Sequence, residues 1–304
     1  MANLRTLILA GLLGGLTSFS VNAQSPAPAA PTPTKEDREA RQKAFLDAVE
    51  KLGWTRQGIG KLGTRAEVAI PKGYRFTDGN GTRGLMKMTD NFPTDRELGM
   101  LTTEGNGPWI IFEWEDSGYV KDDEKDKLDA DEMLKTLQES QEAANEKRKE
   151  MGMGELHLVG WALPPRFNDA TKNLEWATRL RSDNGESINY NTRLLGREGV
   201  MEVTLVCEPE DMQALLSPYQ AIISTFKYVE GQTYAEYRAG DKVAKYGLTG
   251  LVAGGAAVAA SKLGLFAKLG GLLAKLGKGV IVIVVAIGAA IKSLFSKLFG
   301  RRAE

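Results

Sequence analysis

The sequence predicts an α+β fold: a mostly antiparallel sheet with packed helices, plus C-terminal membrane helices. Three observations predict it. Strand-like segments come in runs rather than alternating one by one with helices, so a regular parallel βα architecture is not expected. Helical patterns fall before, between and after those runs. The chain then closes with apolar and small residues interspersed with lysines.

In chain order, Arg5 precedes an apolar run over 7–16, and Val21-Asn22-Ala23 supplies a small-x-Ala cleavage pattern. That is the layout of a secretory signal peptide, assigned to 1–23. Residues 24–34 form a Pro/Ala-rich linker. Four prolines at 26, 28, 31 and 33 bias it toward polyproline II. A folded domain is expected over 35–245, outside the cytoplasm. In a Gram-negative cell that is the periplasmic side of the inner membrane.

Residues 35–52 read as a helix. Thr34 is placed to cap it, Glu36 and Asp37 sit in its first turn, and Gly53 ends it. Phe45, Leu46, Val49 and Leu52 make one apolar face. Gly58-Ile59-Gly60-Lys61-Leu62-Gly63 matches GxGxxG, but a strand-like alternation at Ala66, Val68 and Ile70 follows where a helix is required. The glycines are read as hairpin turns, and no cofactor-binding motif is assigned. Trp109–Glu115 reads as a strand. Over 121–131 the acidic residues do not fit a calcium loop: with Asp122 at position 1, position 6 is Lys127 and position 12 is Met133. Asp129 and Glu132 instead resemble a capping box for a helix to about Met151. Strands are expected over 156–163, 174–180, 188–194 and 199–207, with Asn184-Gly185 as a hairpin turn, and a helix over 211–226.

The formal net charge is zero but unevenly spread. From Leu248 onward there are six Lys, two Arg and one Glu, a net of +7, which leaves −7 on the rest. An acidic main domain argues against nucleic acid as a partner. The lone histidine, His157, and lone cysteine, Cys207, leave no set of residues for a zinc site or a histidine-dependent nucleophile. Cys207 reads as a buried thiol in a strand. Glu113 and Glu115 share one strand face about 7 Å apart, a spacing open to carboxylate acid–base chemistry or to plain solvation. Asn189, Asn191 and Arg193 share another face. It fits recognition of a carboxylate or a sugar, or pairing with acidic neighbours. Together with Tyr119, Asp122, Trp161 and Arg197 these residues form the candidate binding face.

Residues 246–304 are expected to anchor the chain. Two apolar runs, 246–260 and 279–291, flank a stretch in which Lys268, Lys275 and Lys278 fall on one helical side. The partner expected for 246–300 is the lipid bilayer. Gly250, Gly254 and Gly255 offer a surface for self-association.

Several stretches together resemble a bacterial family of predicted membrane-anchored proteins, domain of unknown function 2167. They are Ser117-Gly118-Tyr119-Val120-Lys121-Asp122-Asp123, Gly160-Trp161 with Pro164 and Pro165, Leu174-Glu175-Trp176-Ala177, and the run from Asn189 to Arg197 with Gly199-Val200. Asp241-Lys242-Val243-Ala244 with Tyr246-Gly247-Leu248 completes the set. Phe167-Asn168 departs from the Tyr-Asp pair expected there. The resemblance implies export and membrane anchoring and carries no activity. The expected function is a non-enzymatic binding or scaffolding domain held at the membrane, with a membrane-tethered hydrolase using carboxylates as the alternative.

Overall fold

The computed structural model of the protein describes residues 34–253 apart from 90, 106 and 170. The signal peptide, nearly all of the proline-rich linker, and everything from 254 onward, including Gly254 and Gly255, lie outside the described residues. The chain divides into two units, 1–255 and 256–304, and the first holds every described element.

Helix α1 (Lys35–Glu50) starts as its sequence dictates. The Thr34 hydroxyl accepts from the Asp37 N–H, and the Asp37 carboxylate accepts in return from the Thr34 N–H. Strands β1 (Ile59–Leu62) and β2 (Ala66–Ala69) form the expected hairpin. β10 (Lys227–Tyr228) adds to β2 to make a three-stranded sheet.

The main sheet has seven antiparallel strands in the order β3-β4-β5-β9-β8-β7-β6. They are β3 (Tyr74–Asp78), β4 (Glu97–Thr103), β5 (Trp109–Glu115), β6 (His157–Asn168), β7 (Asn173–Ser182), β8 (Gly185–Leu195) and β9 (Val200–Cys207). Helix α2 (Gly79–Met88) joins β3 to β4. The sequence did not predict it, because Gly79, Gly81 and Gly84 each lower helix propensity. Packing overrides that cost: Leu85 and Met86 are buried, and the Asp78 carboxylate accepts from the Gly81 N–H. β6 runs five residues past its expected end, through Pro164-Pro165. It is the outermost strand, where a missing N–H breaks no ladder, and its register slips there. Helix α3 (Ala130–Glu150) follows the predicted pattern, with the Asp129 carboxylate accepting from the Glu132 N–H. The hairpin tip between β7 and β8 is Asp183-Asn184, with Gly185 opposite Ser182.

Strand alternation divides the core. On one face, Phe112, Trp114, Tyr190, Val203, Leu205 and Cys207 pack under the small sheet and under α4 (Met212–Ile223). Cys207 is buried, as expected, and burial pushes its thiol up to about 12. The opposite face has two apolar patches. Met100, Trp109, Ile111 and Val206 meet α1 and α2 at one end. Leu174, Trp176, Leu195 and Val200 meet Met133 of α3 and helix α5 (Leu248–Ala253) at the other.

Helix α5 lies at the start of the stretch expected to anchor the chain. Leu248, Leu251, Val252 and Ala253 are buried in the domain's own core, so these apolar residues pack on protein. Gly250 is half-buried beside the Tyr246 side chain. A Cβ there would lie 2.7 Å from Cβ of Tyr246. No helix among the described residues is long and apolar enough to cross a membrane. If α5 belongs to the core, Leu251→Ala destabilises the domain by about 2–5 kcal/mol. Urea unfolding of the full chain in detergent checks this; a helix lying in lipid would give no such change.

Candidate functional site

Between the two apolar patches, the second sheet face is charged. Cross-strand registers align Glu97 of β4, Glu113 of β5, Glu202 of β9 and Arg193 of β8 in one row. Glu97 is buried at 2% exposure, Arg193 at 8%. Arg193 Nη2 lies 3.4 Å from the Glu202 carboxylate, and its guanidinium sits over the Trp176 ring at 4.6 Å. Arg96, ahead of β4, contacts the same carboxylate at 2.5 Å. The expected alternatives for Glu113 and Glu115 were a solvated face or an acid–base pair. The structure instead places both partly buried in a charge cluster.

The cluster holds more carboxylates than it can keep ionised. Burial, then the Glu202 charge, pushes Glu113 up to about 7. Burial pushes Glu115 up to about 7 as well, followed by its proximity to and hydrogen bond with Glu202. Burial alone would raise Glu202, but the Arg193 and Arg96 guanidiniums hold it below the ordinary range. On its other side Glu115 accepts a hydrogen bond from the Tyr246 hydroxyl.

Tyr246 belongs to a strap, residues 231–247, laid across the ends of β5, β8 and β9. Arg197 grips Asp241 in a fork, Nε and Nη2 each 2.7 Å from a carboxylate oxygen. That grip holds the Asp241 carboxyl down at about 2. The Tyr119 N–H donates to Lys242 O at 2.8 Å, and the Ala244 N–H donates to Tyr119 O at 2.9 Å. Gly118 takes φ 87° here, and a Cβ on it would meet the Lys242 carbonyl at 2.6 Å.

The strap also walls an open groove of about 1180 Å³ against the start of β7 and the end of α4. Tyr119 is sandwiched between Tyr234 and Tyr237, ring centroids 4.4 and 4.3 Å away. Phe226 and Tyr228 line the opposite side, with Asn168, Asn173 and Lys172 at the rim. Lys172 alone among the described non-glycine residues has positive φ, 54°. Its Nζ bridges Asp122 (2.9 Å) and Asp169 (3.5 Å), tying the loop after β5 to the β6–β7 turn. Burial would raise Asp122, but Lys172 outweighs it and holds the carboxyl below its usual range.

The predicted binding face is therefore split. Tyr119 lines the groove, Asp122 braces its rim through Lys172, and Arg197 holds the strap. Asn189, Asn191 and Arg193 share a face as expected; Asn189 and Arg193 are buried and Asn191 is half-buried. The Asn191 amide donates to Asn189 O, and Arg193 pairs with Glu202. Trp161 stands apart on β6, its indole N–H donating to Ala130 O. Sequence reasoning missed Arg96, Glu202, Tyr228, Tyr234 and Tyr237. Each is a single polar or aromatic residue with no local spacing, and only sheet register and the strap bring them to these places. Among the described residues no group of three or more His, Cys, Asp or Glu is arranged to hold a metal ion.

Removing one partner of a buried ion pair strands the other. Arg193→Ala is expected to destabilise the domain by about 3–5 kcal/mol. Adding Glu202→Ala is expected to cost less than the sum of the single changes. A double-mutant cycle by urea unfolding checks the coupling.

No curated protein matches this chain. Among solved structures, the solution structure of cyanobacterial PsbP (CyanoP) from Synechocystis sp. PCC 6803 is similar over 58% of this chain and 93% of its own, at 14% identity and a TM-score of 0.34. That likeness is distant. The family described as protein of unknown function (DUF2167) matches residues 55–288, a span that takes in both sheets, the charged row, the groove and the strap. This chain belongs to that family.

Proposed function

We propose that this protein is a non-enzymatic envelope protein. Its folded domain lies outside the cytoplasm, is held at the membrane by the chain beyond Ala253, and binds a partner in the tyrosine-walled groove. The groove carries the reading. Ring faces beside amides and hydroxyls suit an extended, weakly charged chain, which gains apolar contact and hydrogen bonds without a charge match. The tether rests on composition: an export signal at one end, and at the other apolar runs flanked by lysines that suit a lipid surface. With 248–253 packed into the domain, lipid contact begins at 254 in this reading.

The raised carboxyls of Glu113 and Glu115 favour a second reading, a hydrolase working by acid–base chemistry. Neither residue nor Glu202 lines the groove, and both arginines beside them are engaged with Glu202. On the hydrolase reading, replacing Glu113 and Glu115 by Gln abolishes an activity. On the binding reading, the groove variants matter instead.

A photo-crosslinking residue at Tyr237, 40% exposed at the groove wall, is expected to give a discrete adduct in intact cells. The same residue at Lys43, exposed on α1, is expected to give none. Equal labelling at the two positions would sink the groove reading. The tether is tested separately: the full chain is expected to stay with membranes through a carbonate wash, and a reporter after Gly247 to be extracytoplasmic.

A further inference from the structure

We infer that the tyrosine-walled groove receives the proline-rich segment 24–34 of a second copy of this chain, in a polyproline II conformation. This rests on the groove reading above and names the occupant.

The groove suits an uncharged chain rich in acceptors. Its lining charges already face opposite ones. Lys172 bridges Asp122 and Asp169, Glu175 meets Arg166 at 3.0 Å, and Lys227 stands opposite Glu67 in the sheet register. Ring faces and a donor stay open. Phe226 and Tyr228 meet edge to face at 4.9 Å on one side, and Tyr237 is 40% exposed on the other. Asn173 lies at the floor, paired with Leu194 across the ladder. Strand alternation turns its side chain away from that of Leu174 and to the groove side with Glu175. Asn173 is 8% exposed, and its side-chain amide makes no hydrogen bond to a described residue. A buried amide without a partner in its own chain is placed to meet one from elsewhere.

Segment 24–34 has the matching chemistry. It contains no Asp, Glu, Lys or Arg, and it has prolines at 26, 28, 31 and 33. A polyproline II chain makes no internal hydrogen bonds, so its carbonyls need outside donors such as the Asn173 amide. Each proline adds an apolar ring to set against an aromatic one and removes an N–H that would need an acceptor. Aromatic-lined grooves take such chains because their order exists before binding.

The position of α1 assigns the segment to a neighbour. That helix packs on the other face of the main sheet, at the other end of the strands. The described residues of 34–44 are all exposed, so the first half of α1 stands off the domain and carries the segment outward. Eleven residues of polyproline II span about 34 Å. Turning back along the exposed half of α1 uses about 15 Å of that. The remainder would have to round the sheet to its far face and far end. A second copy meets the outward segment directly. The contact is heterologous, tail into groove.

The full chain with a photo-crosslinking residue at Tyr237, purified in detergent and mixed with a differently tagged copy, tests this. The expected product joins the two tags, and its mapped peptide lies within 24–34. Replacing the prolines at 26, 28, 31 and 33 by alanine in the second copy is expected to lower the yield about tenfold or more, because the segment then loses its stiffness before binding. These positions precede the folded domain, so the changes leave its core alone. Asn173→Ala in the copy that bears the crosslinker is expected to lower the yield about fivefold. An adduct confined to one chain, or a yield unmoved by either change, overturns the proposal. An adduct in intact cells to another protein or to a glycan, with none between copies, also overturns it and leaves the groove reading standing. No adduct in either setting removes both.

Discussion

Ionised groups buried on one face of a sheet constrain this structure more than any other feature. Glu97, Glu113 and Glu202 meet Arg193 across β4, β5, β9 and β8, with Arg96 closing on Glu202 from outside the sheet. Charges taken out of water must be paired, neutralised by a proton or hydrogen bonded. The row therefore divides the apolar surface of that face. One patch is left for α1 and α2, the other for α3 and α5. It also sets how the strap returns, because a half-buried glutamate needs a donor, and Tyr246 provides one.

The opposite face obeys a simpler rule. It is mostly apolar, and the small sheet and α4 cover it. Three tyrosines are polar exceptions: the Tyr190 hydroxyl donates to Glu175 at 3.0 Å, and Tyr219 and Tyr228 are likewise satisfied. The Tyr219 hydroxyl donates to Thr192 Oγ1 at 2.7 Å and the Tyr228 hydroxyl to Leu194 O at 2.6 Å, so neither leaves an unmet donor in the core. One face is thus a packing surface. The other is a packing surface interrupted by electrostatics.

Groove and strap are one construction. The stretches around Tyr119 and Arg197 are far in the chain from Asp241 and Tyr246 and meet them along the strap. Most of their contacts hold the strap to the sheet: Arg197 to Asp241, the Tyr119 backbone to residues 242 and 244, Tyr246 to Glu115. A groove walled by such a strap is only as rigid as its fastening.

Local order was legible in the sequence by itself. The capping box at Thr34 and Asp37, the alternation through 109–115 and 199–207, and the charged amphipathic run of α3 each report interactions among near neighbours, so each predicts its element. Placement on a common face was legible too, for Asn189, Asn191 and Arg193 and for Glu113 and Glu115, because strand period alone sets it. Helix α2 was hidden by its glycines, and the continuation of β6 by its prolines, since tertiary packing and an edge position overruled local preference. Whether a face is wet or buried, which carboxylate meets which guanidinium, and whether 248–253 goes to lipid or to core depend on register between strands remote in the chain. Only the folded structure decides these, because burial and charge pairing are properties of what lies opposite, and a single chain segment does not carry that information.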